Sequence, residues 1–254
     1  MALSLEEYES YQPVTRVDCE GRQLVFCTPN RMTTWRAQTL FEKEPVTVRW
    51  ILGFARGAKF LDVGANVGIY TILAAVARQA KVVAFEPESQ NYALLNRNIQ
   101  ANGVSGSAAA YCGALSDRSG ASSLYLSQFE AGLSCHSLGA EVGFDLAPRP
   151  SAFVQGAFSY RLDDLVESGA VPVPDHIKID VDGFEHKVIA GARVTLARAG
   201  VRSVLIEINH NLEEHLDLVD ELNELGYRHD PAQVASAERK SGTFKGLAEY
   251  VFER

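Results

Sequence analysis

From about residue 59 onward, short apolar runs alternate with stretches whose apolar residues recur at helical spacing. No other feature restricts the fold of this chain as much. Strands that alternate with helices pair as a mostly parallel sheet with helices on both faces. K59-F-L-D-V63 reads as the first strand, and Ile69, Ile72, Leu73 and Val76 follow at helical spacing. K81-V-V-A-F85 is the next strand. Pro87 stands where proline opens a helix, Tyr92, Leu95 and Ile99 form that helix's buried stripe, and Asn102-Gly103 stops it. Further strands are expected at A108-A-A-Y-C112, H176-I-K-I-D180, R202-S-V-L-I-E-I208 and E249-Y-V-F-E253. Among the last of these lie two more helices. One carries Val188, Ala192 and Leu196 and ends near Gly200; the other carries Leu212, Leu216, Val219 and Leu222 and is closed by Gly226.

Two segments fall outside this rhythm. Residues 1–57 read as an N-terminal extension packing on a core domain of 58–254, with one strand candidate, Q23-L-V-F-C27, and helical material from about Thr34 to Phe54. The stretch from Gln128 to Pro150 has no period. A segment that long without structure is either a lid or substrate loop, or a plain surface insertion.

Composition narrows the classes. A length of 254 residues suits one domain, and a formal net charge of −8 argues against a broad electrostatic footprint on nucleic acid or anionic membrane. No apolar run approaches the roughly 20 residues of a membrane span. The start, MALSLEEYES, is acidic and lacks the apolar core of a signal peptide. The four cysteines, Cys19, Cys27, Cys112 and Cys135, form no C-x-x-C pair, so reduced thiols in a cytoplasmic protein are expected.

In an open α/β sheet, ligands bind outside the carboxyl ends of the strands. The first such end carries D62-V-G-A-N-V-G68. Gly64 can take positive φ and leaves a ligand unobstructed, Gly68 lets the helix start pack closely, and the helix N-terminus offers free N–H groups. A tight turn without a ligand would look the same. A second signal favours a ligand: Glu86 ends the next strand, 24 residues after Asp62. An acid there can accept hydrogen bonds from both ribose hydroxyls. The glycines form G-A-N-V-G rather than the G-x-G-x-x-G of a dinucleotide site. Asp62 would repel a pyrophosphate and welcome an ammonium group. S-adenosylmethionine has a ribose, no phosphate, an α-amino group and a sulfonium, so the acid would go with its methionyl group and the helix N-terminus with the methionyl carboxylate.

D62-V-G-A-N-V-G68, Phe85-Glu86-Pro87, A114-L-S-D117, R161-L-D-D-L-V166, I177-K-I-D-V-D-G-F-E185 and L205-I-E207 resemble, in order, the motifs of the FkbM family of S-adenosylmethionine-dependent methyltransferases; E44-P-V-T47 is similar to a further family segment. The family pattern more often has glutamate where this chain has Asp182. The resemblance implies a Rossmann-like class I fold, with a seven-stranded, mostly parallel sheet whose last strand is antiparallel. It implies O-methylation of a hydroxyl on a sugar, glycan or polyketide-type small molecule. It also implies cofactor contacts from Asp62, Gly64, Asn66, Gly68, Glu86, Pro87, Ser116 and Asp180.

Methyl transfer needs the acceptor oxygen held in line with the methyl group, and its proton removed by a base or made labile by a metal. Candidates crowd the ends of the fourth and fifth strands: Lys178, Asp180, Asp182, Glu185 and His186, then Glu207 and Asn209. Lys178 and Glu185 also suit an ion pair within the turn, and Asp180 also suits a helix cap. Asp180, Asp182, Lys178 and Glu207 are the catalytic candidates. Asp180, Glu207 and Asn209 are the set that would hold Mg²⁺ or Mn²⁺ if an ion takes part. His136 either reaches substrate from the irregular loop or is simply exposed. A nicotinamide-dependent oxidoreductase and a non-catalytic cofactor-binding module are the competing readings.

Overall fold

The computed structural model describes residues 4–254; the first three residues of the N-terminal extension, and of the stretch read against a signal peptide, lie outside it. Helix α1 (Leu5–Ser10) leads into a hairpin of β1 (Val14–Cys19) and β2 (Arg22–Cys27). Its turn residues Glu20 and Gly21 both have positive φ, as a two-residue hairpin requires. Helices α2 (Arg31–Gln38), α3 (Leu40–Lys43) and α4 (Pro45–Leu52) follow. The Asn30 side chain caps α2 by accepting from Thr33 N–H, and Pro45 occupies the first turn of α4.

The core then runs β3 (Lys59–Val63), α5 (Ile69–Ala77), β4 (Lys81–Phe85), α6 (Ser89–Ala101) and β5 (Ala108–Tyr111). An interruption follows: β6 (Ala114–Leu115), β7 (Gly120–Leu126), β8 (Ser137–Leu138) and β9 (Phe153–Tyr160) form a separate sheet in the order β6-β9-β7-β8. The chain resumes with α7 (Leu162–Glu167), β10 (His176–Ile179), α8 (Glu185–Ala190), α9 (Arg193–Leu196) and β11 (Ser203–Asn209). It ends with α10 (Glu213–Leu216), α11 (Leu218–Glu224), β12 (Arg228–His229), α12 (Pro231–Ala237) and β13 (Leu247–Glu253).

The main sheet has the order β12-β13-β11-β10-β3-β4-β5. Strands β11, β10, β3, β4 and β5 pair in parallel, and β13 is antiparallel to both its neighbours. Successive residues of β3 serve opposite faces: Phe60 packs with Ile72 and Leu95, while Leu61 and Val63 pack with Ile177 and Ile206. From β3 the chain first steps to β4 and β5, and later to β10 and β11 on the other side. The carboxyl ends of β3 and β10, paired Val63 to Ile179, therefore flank the point where the winding reverses.

Several local expectations need correction. Pro87 lies before α6, whose cap is Glu88. Tyr92 is only half-buried, and the buried face of α6 includes Asn91 and Asn98. Asn98 earns its burial by pairing: its Oδ1 accepts from Cys27 N–H at 2.7 Å and its Nδ2 donates to Val67 O at 2.7 Å. The helix through Val188 and Leu196 is two pieces, broken at Gly191, where a Cβ would stand 2.0 Å from Ser116 O. The helix through Leu222 is likewise split, and Leu216 is exposed. The strands β6, β7, β9 and β12 carry no clear signal in the sequence.

Candidate active site

A cavity of about 500 Å³ opens at the carboxyl ends of β3, β4, β10 and β11. Gly64 and Asn66 line it from the turn after β3, Glu86 and Pro87 from the end of β4, and Asp180 and Asp182 from the turn after β10. Glu207 and Asn209 line it from β11, and Ser116 from the chain after β6. Residues of the irregular segment, among them Leu133, His136 and Phe144, form its roof, and Met32 and Arg36 of α2 form a wall.

The two glycines have different reasons to be there. Gly64 has φ +78°, and a Cβ on it would lie 1.9 Å from the carbonyl oxygen of Asp180. Its missing side chain thus admits the end of β10 as well as facing the cavity. Gly68, at φ +83°, would place a Cβ 2.3 Å from Leu95 Cδ1, so it serves the packing of α6 on α5 and does not line the cavity. Asp62 does not line it either. It is buried, Thr71 Oγ1 donates to its Oδ2 at 2.6 Å, and its Oδ1 has no hydrogen-bond partner among the described residues. Burial raises its pKa against the pull of Lys178. Asp62, expected to meet an amino group, thus lies outside the lining of the cavity.

Glu86 is 5% exposed and accepts two backbone hydrogen bonds, from Asn66 N–H at 2.8 Å and Glu88 N–H at 2.9 Å. Burial pushes its pKa up to about 7, with those two donors opposing. Ser116 donates its N–H to Tyr160 O at 2.9 Å and its hydroxyl to Asp117 Oδ1 at 3.0 Å.

Charges concentrate beyond the glycine turn. Lys178 is buried and lines only a recess of about 40 Å³ behind the main cavity. Its Nζ donates to Asp180 Oδ2 at 2.8 Å. Burial would lower its pKa, but the carboxylates of Asp180, Asp62 and Glu44 together raise it. For Asp180 burial acts upward, and Lys178 followed by Lys43 overcomes it, holding the carboxyl at about 2. Asp182 behaves oppositely. Burial and then the charge of Asp180 push it up to about 7, although Cys135 N–H donates to its Oδ2 at 2.7 Å. Glu207 pairs with Arg239 at 2.8 Å, yet burial and then Asp180 raise its pKa well above the usual carboxylate range.

The three residues suggested for a divalent ion are already engaged. Asp180 is bound by Lys178, Glu207 by Arg239, and Asn209 Oδ1 accepts from Asn211 N–H and Nδ2 at 3.0 and 2.9 Å. Among the described residues no group of three or more His, Cys, Asp or Glu side chains is arranged to hold a metal. The Mg²⁺ or Mn²⁺ that the sequence leaves open thus finds no ligand set among the described residues.

Several contacts around the site are not announced by the sequence. Asn66 Nδ2 and Asn91 Nδ2 both donate to Leu133 O, at 2.7 and 3.1 Å, and Asn91 Oδ1 accepts from Gly132 N–H at 2.6 Å. Asn30 Nδ2 donates to Ala131 O at 2.8 Å, and Arg36 Nε donates to Gly132 O. With the bond from Cys135 to Asp182, these strap the start of the irregular segment across the site. Glu44 is buried, accepting from Tyr70 Oη at 2.7 Å and pairing with Lys43. Glu185 shapes the turn after β10 by accepting from Val181 N–H at 2.8 Å and Gly183 N–H at 3.0 Å. His186 does not line the cavity. His136 does, half-buried, with Nδ1 accepting from Ser127 N–H at 3.2 Å and a buried Nε2 that has no partner among the described residues.

The sheet order, the reversal point beside β3 and the cavity above it are those of the class I, Rossmann-like methyltransferase fold. More narrowly, the model of the methyltransferase FkbM domain matches residues 62–229, and the chain belongs to that family. The hexuronic acid methyltransferase AglP of Haloferax volcanii is 30% identical over 188 residues, which cover 70% of this chain and 67% of that protein. The crystal structure of the methyltransferase FkbM from Methylobacillus flagellatus matches in fold with a TM-score of 0.55 at 16% identity. That match covers 87% of this chain but 51% of the other, so the chain spans about half the length of that structure.

Proposed function

We propose that the protein is an S-adenosylmethionine-dependent O-methyltransferase acting on a sugar-type hydroxyl. The observation that carries the cofactor reading is Glu86, a buried carboxylate facing the cavity from the strand next to the glycine turn. Ribose hydroxyls are suited to donate to it. The rest of the lining fits the same group. The lining acids Glu44, Glu86, Asp180, Asp182, Glu185 and Glu207 outnumber the lining cations Arg36, Lys43, Lys187 and Arg239, which favours a sulfonium. Bound there, S-adenosylmethionine would supply an electrophilic methyl group for an acceptor oxygen. The sugar reading draws support from the hexuronic acid methyltransferase relative.

The proton of the acceptor hydroxyl needs a base near operating pH. Asp180, held at about 2 by Lys178, is a poor base and serves better as a fixed negative charge. Asp182, at about 7, lines the same cavity, and Cys135 N–H occupies only one of its oxygens. We therefore assign it the proton. The experiment is calorimetric titration with S-adenosylhomocysteine, followed by turnover on a panel of hexuronic acids, neutral sugars and polyketide alcohols. Binding without turnover on any acceptor would favour a non-catalytic module.

A further inference from the structure

The cations around the cavity are not equivalent. Lys43 pairs with Glu44, and Arg239 with Glu207 at 2.8 Å and Glu249 at 3.3 Å. Lys187 lies over the ring of Phe184, 4.7 Å from its centroid. Arg36 differs: its Nε donates to Gly132 O, and its two terminal nitrogens have no hydrogen-bond or ion-pair partner among the described residues. It lines the main cavity together with Gly64 and Asn66, and lines the small recess with Gly64, Asn66 and Asp180.

That position has a chemical meaning if the nucleoside end sits at Glu86, a premise this inference shares with the proposed function. The amino-acid end then leaves the ribose past the Gly64–Asn66 turn. It carries an ammonium and a carboxylate on one carbon, so its site must offer an acid and a cation side by side. Asp62, the acid expected for the ammonium, is out of reach behind the wall. Asp180 and Arg36 face the same recess with opposite charge. We infer that Arg36 binds the α-carboxylate of the cofactor's methionyl group, with Asp180 taking the ammonium. A guanidinium suits a carboxylate because two parallel N–H groups match its two oxygens. Its Nε bond to Gly132 leaves the terminal nitrogens free for that role and fixes the side chain's direction. Arg36 lies outside the segment matched by the family model, so this contact comes from the N-terminal part of the chain.

The test compares two ligands that differ only in the carboxylate: S-adenosylmethionine and its decarboxylated analogue. The wild type is expected to prefer the carboxylate by roughly ten- to a hundredfold, the loss typical of a charge-assisted pair. Arg36→Met should abolish that preference while binding the decarboxylated compound about as well as the wild type does. That second arm also reports whether the variant is folded. A wild type without preference, or an Arg36→Met protein that keeps it, overturns the assignment and assigns Arg36 to the acceptor or to the loop alone. If Arg36→Met binds neither ligand, Arg36→Lys decides: a retained preference supports the inference, and a lost one overturns it. A wild type that binds neither ligand removes the cofactor reading itself, and this inference with it.

Discussion

The carboxylates of this site are sorted by their neighbours. Asp180 and Asp182 are two residues apart, yet Lys178 holds the first at about 2 while burial and like charge lift the second to about 7. Asp182→Asn should therefore cut turnover by roughly 10²–10⁴ and remove the acid limb near pH 7 from the rate profile. Asp180→Asn should weaken cofactor binding and keep that limb but move it to lower pH, because the like charge that helps to raise Asp182 is gone. The reverse pattern in kinetics of the two variants would return the proton to Asp180. Glu86 makes a second pH prediction. It must be ionised to accept two ribose hydroxyls, and its folded pKa is raised to about 7, so affinity for S-adenosylhomocysteine should rise as pH climbs through 7. Glu86→Ala should lose at least about tenfold in affinity, and a calorimetric dissociation constant unchanged from wild type would remove Glu86 from the site. The same raised pKa works against folding. Unfolded Glu86 ionises around its ordinary value of 4.5 while the folded form keeps its proton until about 7, so its contribution to stability declines across that window. Chelator should leave turnover unchanged, because Asp180, Glu207 and Asn209 are taken by protein partners.

Among the elements, the strap over the site is held by the side chains of Asn30, Asn66 and the fully buried Asn91. Asn91→Ala removes the partner of Gly132 N–H and one donor to Leu133 O, at a cost of about 1–3 kcal/mol for each buried group left unpaired. Amide exchange across residues 131–135 should quicken while the parallel strands keep their protection; unchanged exchange there would mean that the other anchors suffice. Replacing residues 136–149 with a glycine-serine linker, and leaving the strap intact, should preserve S-adenosylhomocysteine binding and abolish transfer. Normal methylation by that variant would reduce the segment to a surface insertion. These elements also show where the sequence is readable. Strands β3, β4, β10 and β11 are short apolar runs with an acid at or near the end, and such runs announce both their burial and their site. Strands β7 and β9 do not. GASSLYL and FVQGAFSY mix small, polar and exposed aromatic residues, and they pair across the irregular segment rather than through a tight turn. The buried Asn91 and Asn98 are illegible for a related reason: only their distant backbone partners distinguish them from surface residues. An acid at a strand end looks alike in the sequence whether it faces the cavity or, like Asp62, accepts from Thr71.

For the whole molecule, the segment before residue 58 is part of the core. Leu24, Phe26, Ile51 and Phe54 share one apolar cluster with Phe60, Ile72 and Leu73 of the main domain. At roughly 1.5–3 kcal/mol for each fully buried side chain, their contribution is comparable to the whole stability of an ordinary domain. A chain begun at residue 58 should therefore be insoluble or molten; a sharp thermal transition from it would show that the core stands alone. The contact between Gly64 and the carbonyl of Asp180 has a further consequence. The strands that face the nucleoside and the strands that carry the acids meet there with no room for even a methyl group. That seam cannot serve as a hinge. If the cofactor binds as proposed, its exchange is then expected to depend on the roof, and Asn91→Ala, which loosens the strap, should speed the release of bound S-adenosylhomocysteine.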